Sequence, residues 1–161
     1  MMIKMSVSIQ GEKEVMHRFN KVIFGLEDNK PWLKRLGDEC IYPVIKSTFA
    51  QQGMPRWAPL SPSYAIWKAK HYPGRGTLVL TGALGLSLIS KASANSHYVL
   101  TEDRLEIGSN LDVGKWNLGL LHQMGTKKMP KRPIITDSAL NIIDNKMLEF
   151  SREHLRKAIN E

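Results

Sequence analysis

The C-terminal part of the chain follows a single hydrophobic period, and this feature constrains the fold more than any other. Asp137 belongs to a residue type that caps helices, and apolar side chains recur at helical spacing after it. They are Leu140, Ile143, Met147 and Phe150, with Leu155 and Ile159 on an adjoining stripe. The pattern predicts a long amphipathic C-terminal helix, which must bury its apolar face against other elements.

The N-terminal part combines a strand pattern with two helix patterns. Apolar residues alternate with polar ones over 3–10, which predicts a strand buried on one face. Helical spacing then runs from Glu12 to about Phe24, and again from Pro31 to Phe49. Pro43 lies inside the second helix, where it removes a backbone hydrogen bond and clashes with a preceding carbonyl. We therefore expect a kink or break near Tyr42.

The middle of the chain is rich in Pro, Gly and Trp and predicts shorter elements. Ser61 and Pro62 are typical of a helix start, and this helix should run to Lys68 or Lys70; Thr81 should cap another. "SHYVLTEDRLEIGS" predicts a hairpin and "WNLGLLHQMG" a short helix. These elements favour an α+β fold: one domain over 1–161, with a small antiparallel or mixed sheet, an N-terminal helix pair and the long C-terminal helix.

Composition limits the classes of partner. The chain has 161 residues and a net charge of +8, which attracts polyanions and acidic protein faces alike. Its one cysteine, Cys40, is expected in the core, and no Cys/His cluster suggests a metal. With no apolar run of membrane-spanning or signal-peptide length, we expect no membrane partner and a protein made and used in cytosol.

Candidate chemistry centres on "HQMGTKKMPKRP", residues 122–133. A catalytic histidine needs a nucleophile or carboxylate, whereas His122 has only Gln123 and apolar residues around it in sequence. We therefore expect no enzyme, no catalytic residue, no metal and no cofactor. The cations that follow, Lys127, Lys128, Lys131 and Arg132, suit phosphate binding or a solvated loop. Prolines on both sides of Lys131-Arg132 stiffen the backbone and favour a specific contact.

Four patches, in this order, resemble the virion morphogenesis or tail completion proteins of Mu-like phages and prophages: "WAPLSPSYAIWK", "LVLTGALGLSL", "LEIGSN" and "HQMGTKKMPKRP". The resemblance covers roughly residues 45–140. Leu118 and Gly119 depart from it, since a Tyr-Ala pair is usual there, and Met124 stands where an aromatic residue is usual. The residues that match the pattern are Phe49, Trp57, Pro59, Leu60, Leu80, Thr81, Gly82, Leu84, Ser87, Ile107, Gly108, His122, Gln123, Gly125, Pro130, Arg132 and Pro133.

The resemblance implies a structural protein that completes or joins the head-tail region, as a subunit of a homo-oligomeric ring. Its partners would be head-tail connector or tail proteins, with at most weak nonspecific contact to DNA, in the host cytoplasm during assembly and then in the virion. A basic nucleic-acid-binding module is the alternative. The implied interaction residues are Trp57, Pro59, Leu60, Thr81, Gly82, His122, Gln123, Gly125, Arg132 and Pro133.

Two of these implied roles are specific enough to compare with a structure. We expect the His122-Gln123 pair to tie the turn at Gly125 through hydrogen bonds. We expect Arg132 to pair with a carboxylate on a neighbouring subunit or on its own sheet.

Overall fold

The computed structural model describes residues 29–160, with side chains to residue 157. The strand predicted over 3–10 and the helix predicted from Glu12, the first of the N-terminal pair, lie outside the described residues. The described elements follow in chain order: α1 (Lys30–Leu36), a π-helical turn (Gly37–Ile41), α2 (Tyr42–Ala50), α3 (Pro62–His71), α4 (Ala83–Ile89), β1 (Ser96–Leu100), β2 (Leu105–Ser109), β3 (Asp112–Val113), β4 (Trp116–Asn117), α5 (Leu118–Met124) and α6 (Asp137–Asn160).

The helix predicted from Pro31 to Phe49 forms, and it accommodates Pro43 without ending. Pro31 lies in the first turn of α1, where its missing N–H is not needed. In the turn before Pro43 the α-helix becomes a wider π-helix, in which the N–H of Tyr42 donates to the carbonyl of Gly37, five residues earlier. The chain does not break near Tyr42, but a π-helical turn interrupts the regular α-helical ladder there, and the helix continues to Ala50.

The predicted hairpin forms from β1 and β2, which pair antiparallel with Tyr98 opposite Ile107. Thr101 N–H donates to the carbonyl of Arg104 at 2.8 Å and closes the turn. A second, very short antiparallel pair joins β3 and β4. Within the described part of the chain the strands thus form two separate two-stranded sheets, and both are antiparallel rather than mixed.

The long C-terminal helix α6 is confirmed, and it buries its apolar face against α1, the π-helical turn and α2. Here Leu36, Cys40 and Val44 pack with Ala139 and Phe150 to form the first core cluster. Cys40 is buried as expected, and burial raises the pKa of its thiol. Removing a buried aromatic such as Phe150 typically costs about 3–5 kcal/mol, so this contact fixes the position of α6.

A second core cluster joins segments that are far apart in sequence. It consists of Ile45, Trp57, Leu84 and Ile134, and Ile41 packs against both clusters. The described residues therefore share a continuous core, and the α+β fold class is confirmed. None of the described helices is long and apolar enough to cross a membrane.

Candidate functional site

A tight turn at the end of α2 positions the loop that begins at Trp57. Gln52 and Gly53 have positive φ values of 57° and 101°, and Gly53 N–H donates to the carbonyl of Thr48 at 2.8 Å. A Cβ on Gly53 would lie 2.6 Å from both the carbonyl of Pro55 and the ring of Trp57, so only glycine fits. The turn directs Trp57 inward, where 6% of its surface remains exposed.

Trp57 connects this loop to the proline-bounded segment near residue 133. Its Nε1 donates to the carbonyl of Pro133 at 2.7 Å, across 76 residues of sequence. Its ring meets that of Phe49 edge-on, with centroids 5.5 Å apart. A buried indole needs a hydrogen-bond acceptor, and Pro133 supplies it.

Arg132 points in the same direction, and the expected pairing with a carboxylate of its own sheet is wrong within residues 29–157. Nε donates instead to the carbonyl of Ala58 and Nη2 to that of Pro59, each at 2.8 Å. Pairing with a carboxylate of a neighbouring subunit stays a prediction. Only 5% of Arg132 is exposed, because its own N–H is bonded to the carbonyl of His122 and the stiff backbone turns the side chain inward. The guanidinium therefore joins two loops of the same chain.

Gln123 also joins two segments, but not at the turn we expected. Its Oε1 accepts from the backbone N–H groups of Ile134 (2.9 Å) and Ile135 (3.1 Å), and its Nε2 donates to the carbonyl of Ile135 at 2.6 Å. All of its bonds fix the segment after Pro133, so the predicted tie to Gly125 is wrong for this side chain.

His122 is half-buried, and its Nδ1 has no hydrogen-bond partner among the described residues. The expected hydrogen-bonded histidine is therefore wrong at that nitrogen. Burial, and secondarily the charge of Arg132, lower the pKa of His122. The backbone rather than the ring of His122 links the loops, through its carbonyl.

Gly125 ends α5 by its own backbone geometry. Its φ is 71°, and its N–H donates to the carbonyl of Leu121 at 2.9 Å. A Cβ there would lie 2.9 Å from the backbone nitrogen of Lys131, so glycine allows the loop that follows to come close. Sequence reasoning placed the turn correctly and assigned its stabilisation to the wrong groups.

Thr81 and Gly82 lie at the start of α4 and bond only locally. Gly82 is the capping residue, with φ of 89°, and Thr81 Oγ1 accepts from the N–H of Ala83 at 3.3 Å. The predicted cap at Thr81 is thus shifted by one residue. α4 nevertheless contributes Leu84 to the cluster that contains Trp57.

Hydrogen bonds therefore join the first and the last of the four sequence patches. We call Trp57, His122, Gln123, Arg132 and Pro133 the loop junction, since each links a loop to a distant segment through a side chain or its backbone. Pro59 contributes its carbonyl to the loop junction. Thr81 bonds only to its own helix, and the glycines Gly82 and Gly125 have no side chain to contribute.

A groove of about 450 Å³ opens beside the loop junction. Lys68, Lys128 and Arg132 give it a cationic lining, to which His122 adds its imidazole. Leu60, from the loop that begins at Trp57, lies on its wall. Other apolar side chains complete the wall, among them Leu78, Leu80, Leu118 and Met129. No Asp or Glu of the described chain lines it. We call this feature the cationic groove.

Lys68 is the groove residue that sequence reasoning missed. Only 4% of it is exposed, and its Nζ donates to the carbonyl of Gly76 at 2.6 Å. Burial, and secondarily the charge of Arg132, lower the pKa of Lys68.

A second surface feature is an exposed apolar stripe on and before α5. Trp116, Leu120 and Met124 follow one another at intervals of four residues and are 66%, 57% and 60% exposed. They line a shallow cavity of about 550 Å³ together with Leu121, Gly125 and Thr126. We call these three side chains the apolar stripe; aligned exposed side chains of this size are typical of protein contact surfaces.

The hydrogen-bonding side chains of the loop junction bond to the backbone of other segments. Every described side-chain bond of Trp57, Gln123 and Arg132 goes to backbone groups. Residues 29–157 contain no group of three or more His, Cys, Asp or Glu side chains that could hold a metal ion.

Comparisons with known proteins add no relative to this geometry. A scan against models of protein families, a search of curated proteins and a search of solved structures each gave no match to the chain.

Proposed function

We propose that this chain is a structural protein of phage assembly, which completes or joins the head-tail region as a subunit of a homo-oligomeric ring. Its partners would be head-tail connector or tail proteins, met in the host cytoplasm and retained in the virion. The proposal starts from the resemblance of four ordered sequence patches to the tail completion proteins of Mu-like phages.

One observation carries the proposal from sequence to structure. The patches "WAPLSPSYAIWK" and "HQMGTKKMPKRP" bond directly through Trp57 and Arg132, across 73 to 76 residues of sequence. The two patches would occur together because each supplies hydrogen-bond donors or acceptors that the other needs. The resulting loop junction is a rigid platform of the kind that a repeated subunit contact requires.

The apolar stripe supplies a surface for such a contact. Trp116, Leu120 and Met124 project from α5 or the strand before it, and the His122 and Gln123 backbone and side-chain bonds hold α5 in place. Aromatic residues and Met are enriched in the buried centres of protein interfaces. A stripe that meets a different surface on the next subunit generates a ring when the rotation closes.

A nucleic-acid-binding module remains the competing hypothesis, and the net charge of +8 is what favours it. Lys127, Lys128 and Lys131 are exposed, but Arg132 is turned inward and does not extend their row. The exposed Trp67 already has ring partners in its own helix, since the rings of Tyr64 and His71 stack on it with centroids 5.4 and 4.9 Å away.

Deletion of the gene from the phage or prophage that carries it tests the proposal. Electron microscopy of the particles should show tailless heads or separate heads and tails, and wild-type protein supplied in trans should restore joined particles. Intact, infectious virions from the deletion strain would overturn the assembly role.

The same complementation can test the surface. Leu120→Asp should fold but fail to restore particles, because a charge at the centre of an apolar contact is left without a partner. Ile66→Asp is the matched control, since Ile66 is 72% exposed and lies outside the apolar stripe. Equal complementation by both variants would exclude the stripe as the contact.

A further inference from the structure

The cationic groove holds two buried charges that the described chain does not neutralise. Lys68 and Arg132 are 4% and 5% exposed, and neither forms an ion pair with a carboxylate in residues 29–157. Their side-chain hydrogen bonds within these residues go only to backbone carbonyls, which carry partial charge. Burying two like charges beside each other is costly unless an anion accompanies them.

Hydrogen-bonding capacity is also left over at the groove. A guanidinium has five N–H donors and an ammonium three, whereas Arg132 uses two and Lys68 uses one. His122 adds a buried Nδ1 without a partner among the described residues. The groove thus has both the positive charge and the hydrogen-bond donors that bind a carboxylate.

We propose that the cationic groove is a docking site for an acidic side chain of a partner protein, carried on an otherwise apolar segment. Leu60, Leu80, Leu118 and Met129 on the groove wall would contact the residues that flank the acid. This inference rests on the groove's own contacts and is independent of the role in phage assembly.

The same geometry argues against a nucleic-acid backbone as the occupant. A nucleic acid presents a row of phosphates linked by polar sugars, which a basic surface track matches best. Here two charges lie buried in one place, and apolar side chains surround them. A single carboxylate between apolar neighbours complements that arrangement.

Amide NMR titration of the ¹⁵N-labelled full chain tests the inference with two peptides that differ only in charge. Ac-Leu-Glu-Leu-NH₂ should shift the amides of residues 78–80, 128, 129, 131 and 132 saturably. Ac-Leu-Gln-Leu-NH₂ should bind at least about tenfold more weakly, because it lacks the charge-assisted bonds. Equal binding of the two peptides, or no saturable binding of the acidic one, would overturn the proposal.

Inorganic phosphate and a single-stranded DNA decamer serve as the competing anions in the same titration. Weaker binding of both than of the acidic peptide supports a peptide partner. Tighter groove binding by either one overturns that assignment.

A pair of variants then locates the charge. Lys68→Met should reduce the preference for the acidic peptide at least several-fold, whereas Lys127→Met, at an exposed lysine outside the groove, should keep it. Unchanged preference in a folded Lys68→Met protein would contradict the proposal. If Lys68→Met does not fold, the wild-type peptide pair still decides.

Discussion

Replacing Arg132 by methionine should measurably destabilise the protein, although Arg132 lies in a loop. Methionine keeps most of the apolar stem and removes the guanidinium, so packing changes little. What is lost are the two 2.8 Å bonds to the carbonyls of Ala58 and Pro59. These bonds join loops 73 and 74 residues apart, so no neighbouring residue can take over the role.

The magnitude follows from opposing contributions. A hydrogen bond from a charged donor is worth roughly 1.5–3 kcal/mol, and two bonds from one side chain are not independent. Against this loss, the variant removes a charge that is 5% exposed and that lowers the pKa of Lys68. We expect a net loss of about 2–3 kcal/mol in the free energy of unfolding. For a chain of this size that corresponds to a fall in Tm of roughly 4–12 °C.

Thermal unfolding followed by circular dichroism, with urea denaturation as a second measurement, checks this value. Lys131→Met is the control, because Lys131 is the adjacent residue and is exposed. It should change stability by no more than about 0.5 kcal/mol. If Arg132→Met and Lys131→Met unfold at the same temperature, the guanidinium does not hold the loops together and the reasoning fails.

Two further predictions concern the turn and the histidine. Gly53→Ala should lower the free energy of unfolding by more than about 2 kcal/mol, because the new Cβ would meet backbone atoms. Gly74→Ala, also at positive φ but with nothing within 4 Å of the new Cβ, should lower it by about 1 kcal/mol. Equal urea midpoints of the two variants would contradict this difference. Below the ordinary histidine pKa of 6.5 the wild type should lose stability, since the lowered pKa of His122 means that the unfolded state binds the proton more readily. The His122→Gln variant should lose less stability over the same pH range. Identical profiles of unfolding free energy against pH for the two proteins would show that His122 does not contribute.

Hydrophobic periodicity predicted most of the described elements because it reports directly on burial. The stripe from Leu140 to Phe150 forms α6, and the alternation around Tyr98 and Ile107 forms the hairpin. Pro43 shows where a local rule was insufficient: proline forbids a regular α-helical ladder, but a π-helical turn satisfies the same restriction without a break.

Several residues of the loop junction were singled out from the sequence, but their contacts were not predicted. The stiff segment around Arg132 correctly suggested a specific partner, and the partner proved to be the loop after Trp57. Local sequence does not record which distant carbonyls come within reach. The buried Lys68 was missed for the same reason, since lysine normally lies at the surface and only the folded groove reveals its position.

Both core clusters draw on the two halves of the chain, which has a consequence for cleavage. Ile45 and Trp57 come from before the exposed loop at Tyr72–Gly76, and Leu84 and Ile134 from after it; Leu36 and Phe150 are divided in the same way. A single tryptic cut after Arg75 would therefore produce two fragments, neither of which contains a complete core. The fragments should stay associated through gel filtration and separate only in denaturant, and each alone should be unable to fold.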